Sequence, residues 1–316
     1  MNKILEISQE KLTFKGHSRW VRAIAVTPDG KTVISSSSGK IIKTWDLETG
    51  EEKLTFEGHN NSVNAIAVTP DGKTVISGSD DNTIKIWNLE TGEVEFTFEG
   101  HSDLVIAIAV TPDGKTVISG SKDKTIKIWN LETGDVEFTL LGHNDWVYTI
   151  AVTSDGKTII SGSLDRTIRV WDLVTGEVRL TFEGHGYSVR AIAITPDGET
   201  VISGSNYETI QIWNLKTGKE KFTFEGHSRW VNAIAIAPDG KTLISSSRDK
   251  TIKAWDLETG EMKLTFKGHS RWVNAIAVTP DGKTLISGSN DRTIRTWNLE
   301  TGEVESTLTG HSDYVL

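Results

Sequence analysis

The sequence predicts an all-β protein: a seven-bladed β-propeller of four-stranded antiparallel blades, closed into one ring. Three observations carry this. Gly-His recurs eight times, always 42 residues apart, from Gly16-His17 to Gly310-His311. Seven tryptophans keep step with it, each 28 residues after its His, from Trp45 to Trp297. Each copy also holds four short β-rich runs separated by turn residues. A period of this length marks one supersecondary unit repeated in tandem.

The copy that follows His59 shows the elements in order. Strand a, Val63-Asn64-Ala65-Ile66-Ala67-Val68, places small alanines between larger residues. Small side chains suit the crowded inner end of a sheet near a central axis. Thr69-Pro70-Asp71-Gly72 is turn chemistry, with proline pre-setting φ and glycine accepting φ > 0. Strand b is Thr74-Val75-Ile76-Ser77-Gly78-Ser79, and Asp80-Asp81-Asn82 turns the chain again. Strand c runs from Thr83 to Leu89 through Trp87, and Glu90-Thr91-Gly92 leads to strand d, Glu93 to Phe98. Strand d alternates charged and apolar residues, as an outer edge does. Sheets packed radially in this way leave only short, protected edges.

The unbroken period makes residues 1–316 one domain. Strands a to c of the blades are expected at about 20–46, 62–88, 104–130, 146–172, 188–214, 230–256 and 272–298. Strand d has a surplus copy, because Glu10-Lys11-Leu12-Thr13-Phe14 matches Glu52-Lys53-Leu54-Thr55-Phe56 and Val304 to Leu308 matches it too. Leu12 buries better than Ser306, by about 1–3 kcal/mol. The N-terminal copy is therefore expected to complete the last blade beside Thr293 to Trp297. Residues 304–316, which include a partial eighth repeat, would be displaced, disordered or exchanged between molecules. A monomer is otherwise expected.

Composition excludes several classes. The net charge of -9 disfavours general nucleic-acid binding. With no cysteine there is no disulfide and no thiolate metal site. Met1 to Ser8 shows no signal peptide, and no run approaches a membrane span of about 20 apolar residues. A cytoplasmic location is expected, and no cofactor.

These residues resemble the WD-repeat β-propeller family over nearly the whole chain. The family's repeat opens with Gly-His and ends strand c with Trp-Asp. Here Asp46, Asp172 and Asp256 keep the second residue, and Asn replaces it in the other four copies. The Thr-Pro-Asp-Gly-Lys repeats are similar to those fused to bacterial signalling proteins, which implies a sensor module.

Five of the seven repeats offer a Ser, a His and an Asp in step, the residue types of nucleophilic hydrolases. In the second and third blades the set is His59, Ser77, Asp81 and Trp87, then His101, Ser119, Asp123 and Trp129. The resemblance implies a structural network linking strands b and c to the loop leading into strand a. Five full sets as five equivalent active sites are implausible. Every His belongs to a Gly-His pair, so none is left over as a general base. We expect no enzyme; a carboxylate-dependent propeller enzyme is the remote alternative. The Asp position holds Gly39 in the first blade and Tyr207 in the fifth. His17 and His185 then lose their usual partner, and their b–c turns are expected to be the more mobile ones.

The d–a and b–c loops share one rim, and variation between copies concentrates there. The resemblance implies that this rim contacts peptides. Four tryptophans beyond strand c fall at one loop position: Trp20, Trp146, Trp230 and Trp272. Arg19, Arg229 and Arg271 precede three of them. Arg22, Tyr148, Arg190 and Asn274 lie just inside strand a, and Arg248 in a b–c loop. Trp and Arg are enriched in interface hot spots. An Arg/Trp sector on an acidic protein points to an acidic or phosphorylated peptide partner for a rigid scaffold. The alternative is a consensus-like or designed array with no dedicated ligand.

Overall fold

The structure, a computed structural model, describes residues 13–15, 17–183 and 185–309. Seven antiparallel sheets follow the chain in order, each with its strands a, b, c and d side by side. Blade 1 is Val21–Val26, Thr32–Ser37, Ile42–Asp46 and Glu52–Phe56; blade 2 is Val63–Val68, Thr74–Ser79, Ile84–Asn88 and Val94–Phe98. Blade 7 is Val273–Val278, Thr284–Ser289, Ile294–Asn298 and Val304–Thr309. Each strand a touches its two neighbours of the same kind, and Val21–Val26 touches Val273–Val278, which closes the circle.

The turns form as their residues dictate. Thr69 Oγ1 donates to Asp71 Oδ1 at 2.6 Å, the Lys73 amide donates to the same oxygen, and Gly72 takes φ 71°. At the c–d turn the Asn88 side-chain oxygen accepts from the amides of Glu90 and Thr91. The residue after each Trp therefore organises this turn.

The core lies between blades. Ile34, Ile42 and Phe56 of blade 1 pack with Val63, Val75 and Trp87 of blade 2. Trp87 meets Phe56 at 5.5 Å, and Phe98 stacks on Trp129 in the next seam. Aromatic pairs of this kind contribute about 0.5–1.5 kcal/mol beyond area burial. Close approach explains Gly78: a Cβ there would lie 2.6 Å from Val105 Cγ1 of blade 3. Ile286 and Ile294 of blade 7 join Val21 and Trp45 of blade 1 in the closing seam.

Closure differs from the expectation in one respect. The N-terminal strand, Thr13–Lys15, joins the last blade, but as a fifth strand parallel to Val304–Thr309, with Thr13 opposite Thr307. Val304–Thr309 keeps the place beside Ile294–Asn298, with Thr296 opposite Ser306. Two physical reasons account for this. The Thr296 and Ser306 hydroxyls are 2.6 Å apart and buried, so Ser306 has a partner where an apolar neighbour would have penalised it. The c–d hairpin also closes locally through the Asn298–Gly302 turn. Of the segments at issue, residues 10–12 and 310–316 lie outside the described residues.

One irregularity recurs in every blade. The a–b register slips at the second residue of strand a: Val63 pairs with Ser79 and Ala65 with Gly78, leaving Asn64 in a bulge. A bulge re-aims its side chain and bends the strand.

Candidate interaction face

Beneath the rim, each Gly-His loop is tied to strands b and c. His59 Nδ1 lies 2.8 Å from Asp81 Oδ2, and His59 Nε2 lies 2.7 Å from Ser77 Oγ. The Trp87 indole donates to Ser77 Oγ at 2.8 Å. The carboxylate accepts at Nδ1, so Nε2 accepts the serine proton and the serine accepts from the indole. Asp81 also accepts from the Asn60 amide and from Thr83. Burial alone would raise the Asp81 carboxyl, but hydrogen bonds from His59 and Thr83 outweigh it and hold it well below the usual range. His101, Ser119, Asp123 and Trp129 repeat the arrangement. Ser77 and Ser119 are fully buried.

Blades 1 and 5 keep only part of it. His17 Nε2 contacts Ser35 Oγ at 2.7 Å, while His17 Nδ1 is buried with no partner among the described residues. Burial, reinforced by Lys43, pushes His17 down to about 4. His185 contacts Ser203 and is pushed down to about 4 by burial. Tyr207, in the Asp position, stacks on Tyr187 at 4.5 Å with rings nearly parallel.

Above this layer a cavity of about 450 Å³ opens on the ring axis. All seven bulge residues line it, one from each blade: Arg22, Asn64, Ile106, Tyr148, Arg190, Asn232 and Asn274. Trp20, Trp146, Arg248 and Trp272 join them from the loops, with Asp80, Leu104 and Asn290. Of these lining residues Asp80 alone carries a carboxylate, and it accepts from Asn64 Nδ2 at 2.7 Å. The bulged asparagines also bridge blades. Asn64, Asn232 and Asn274 donate to the carbonyls of Val105, Val273 and Val21.

A ladder of cations and aromatic rings runs along one side. Lys122 Nζ is 4.4 Å from the Trp146 ring, and Trp146 stacks on Tyr148 at 6.3 Å. The Arg190 guanidinium lies between Tyr148 at 4.3 Å and Trp230 at 4.8 Å. Arg248 lies between Trp230 at 3.6 Å and Trp272 at 4.0 Å. Each such contact contributes about 0.5–2 kcal/mol, more as water is excluded. Arg190 Nε donates to Asn206, whereas Arg248 Nε is buried without a partner among the described residues. Burial and the nearby Arg190 push Arg248 down to about 10.

Eight of the twelve rim residues expected from the sequence therefore meet at the cavity: Trp20, Arg22, Trp146, Tyr148, Arg190, Arg248, Trp272 and Asn274. Trp230 and Arg229 border an adjoining groove with Asn206, Tyr207 and Glu208, and Arg248 and Trp272 line both. Arg19 and Arg271 are exposed and line neither. Trp20 is 45% and Trp272 39% exposed, while Trp146 and Trp230 are half-buried. Sequence reasoning left Asn64, Ile106 and Asn232 out of the site. Their signal was position, since each follows the first valine of strand a as Arg22 does.

Among the described residues no group of His, Cys, Asp or Glu is placed to hold a metal ion, and no helix is long and apolar enough to cross a membrane. The WD domain, G-beta repeat family matches residues 8–46, 50–88, 92–130, 134–172, 176–214, 218–256 and 260–298. Two similar curated proteins are each called nuclear distribution protein PAC1. The one from Candida tropicalis is 59% identical over 34 residues, and the one from Candida albicans 58% over 33 residues. These stretches cover 11% and 10% of this chain and 7% of each relative.

Proposed function

The chain belongs to the WD domain, G-beta repeat family, and from that premise we propose that it is a rigid platform binding an acidic peptide or protein segment on the rim that carries the Gly-His loops. Propellers of this family generally bind proteins. The observation that carries the acidic preference is the ladder Tyr148, Arg190, Trp230, Arg248, Trp272 at the cavity mouth. Two guanidinium groups are held close together by aromatic faces, on a protein of net charge -9. Their mutual repulsion is relieved by an anion held beside both at the cavity mouth. A phosphate or a carboxylate does this, and the flanking indoles supply apolar contact area.

The reading assigns no catalysis to the chain. The Ser-His-Asp sets support this, because their serines are sealed away from solvent and already accept an indole N–H. The network is a lock for the loops that present the rim.

The test is a panel of acidic, phosphorylated, neutral and basic peptides measured against the wild type, a Trp230→Ala/Trp272→Ala variant and an Arg190→Gln/Arg248→Gln variant. Preferential binding of the acidic members is expected, weakening as salt is added. Either variant should lose at least about 30-fold in affinity while keeping its unfolding midpoint within a few degrees. Undiminished affinity in both variants, or preference for basic peptides, overturns the reading.

A further inference from the structure

We propose, on the footing of that acidic-peptide site, that the groove beside the cavity seats an aromatic side chain of the same peptide, one to three residues from its anionic one. The groove has a volume of about 370 Å³ and shares Arg248 and Trp272 with the cavity. A peptide anchored by an anion at Arg190 and Arg248 reaches the groove with its next few residues. An extended residue spans about 3.3–3.6 Å, which sets the short separation.

The groove is built from a b–c turn that departs from its sisters. In blades 2 and 3 the residue after the aspartate, Asn82 or Lys124, takes φ 69° or 72°, and its amide donates back to the Ser79 or Ser121 carbonyl. Glu208, at the same place in blade 5, has neither feature among the described residues. Tyr207 replaces the aspartate itself. Asp81 and Asp123 each accept from a histidine, from loop amides and from a threonine hydroxyl. A tyrosine cannot return that set, because its one phenolic oxygen replaces two carboxylate oxygens. The Tyr207 amide keeps the sister contact, donating to Ser205 Oγ at 3.1 Å. What the turn gains is a ring at the rim. Tyr207 is 47% exposed, lines the groove and is backed by Tyr187, nearly parallel at 4.5 Å.

The lining selects the occupant. Tyr207 and Trp272 present exposed rings to the groove, and Trp230 and Arg248 lie between the two along the rim. Arg229 and Arg248 repel a basic side chain there, and Glu208 repels a second acidic one. A flat, uncharged ring meets neither penalty, and it packs on aromatic rings and on a guanidinium plane alike. Stacking on Tyr187 holds Tyr207 in place before a ligand arrives, which lowers the ordering cost of binding.

The experiment is calorimetry with alanine-based peptides that carry one phosphoserine and, one, two or three residues to either side of it, Phe, Leu or Ala. At the best position Phe should bind the wild type about 10-fold more tightly than Ala and about 3-fold more tightly than Leu. Tyr207→Ala should bring the Phe-to-Ala ratio close to one and bind the Ala peptide as the wild type does. Tyr207→Asp installs the sister residue. It should also lose the preference, with an unfolding midpoint no lower than that of the wild type, so that lost preference is not lost fold. The ratio is read in that variant because the added charge weakens both peptides alike. Equal affinities for Phe and Ala peptides that both bind, or a ratio that survives in both variants, overturns the aromatic subsite and leaves the acidic-peptide site standing. A Leu peptide as tight as the Phe peptide overturns the aromatic choice. No binding by any phosphoserine peptide overturns the subsite and the acidic-peptide site together.

Discussion

The guanidinium carbon of Arg248 sits 3.6 Å from the ring centroid of Trp230, and Arg248 Nε is buried without a partner among the described residues. Stacking orients this cation, but it leaves a hydrogen-bond donor unused. Arg248→Lys should keep the charge and lose the planar fork that suits a carboxylate or phosphate. We expect it to weaken binding of an acidic peptide about 10-fold. Trp230 fluorescence should change, while the unfolding midpoint stays close to that of the wild type. Equal affinities, measured by calorimetry, would remove Arg248 from the site.

Acid should destabilise the ring earlier than its carboxylates alone would dictate. Burial pushes His17 and His185 down to about 4, against about 6.5 when unfolded. Above pH 6.5 both states are neutral and the stability is intact. Between pH 6.5 and 4 only the unfolded chain takes up the proton, so stability falls, by up to about 3 kcal/mol for each histidine. Below that the folded histidines protonate too and add no further loss. The carboxyls of Asp81, Asp123 and their sisters, held low by hydrogen bonds, then contribute loss as pH drops through their own lower values. Urea unfolding at pH 7.5 and pH 4.5 checks this, and a flat profile across that interval would contradict it.

Gly39→Asp should stabilise the protein by about 1–3 kcal/mol, because it gives His17 Nδ1 an acceptor. The turn accommodates the change. The tightest contact of a Cβ at position 39 is Ser37 Oγ at 3.1 Å, and Asp81 is tolerated beside Ser79 in the same arrangement. The variant should also show slower amide exchange around residues 38–41 than the wild type. An unchanged exchange rate there would detach the missing aspartate from the mobility of this turn.

Two serines stand where most blades have the close-packed glycine of strand b, and they differ. Ser36 Oγ donates to the Val63 carbonyl at 3.0 Å, whereas Ser246 Oγ is buried and has no partner among the described residues. Ser246→Gly removes an unmet hydroxyl worth about 1–3 kcal/mol and adds backbone entropy worth about 0.5–1 kcal/mol. A net gain near 1 kcal/mol is expected, while Ser36→Gly should lose stability. Thermal melts of the two variants must move in opposite directions.

The ring, its blade count and its turns were legible because His59, Trp87 and Gly72 recur with constant spacing, and each names a local geometry. The rim was legible as a set of positions that vary. The bulge at Asn64 was not, because Val-Asn-Ala-Ile reads as continuous alternation, and the slip shows only against Ser79 and Gly78. The ladder was not, because Arg190, Trp230 and Trp272 are about one repeat apart and meet only once neighbouring blades pack. Ser306 misled for a similar reason. Alone it is a polar residue in an apolar slot; opposite Thr296 it is half of a hydroxyl pair.

The hydrogen bond from Asn274 to Val21 joins the first and last blades by the same device that Asn64 and Asn232 use elsewhere. Chemically, then, the seam is one more joint. A circularly permuted gene that joins the two ends through a linker and opens the chain between blades 3 and 4 should yield the same wheel.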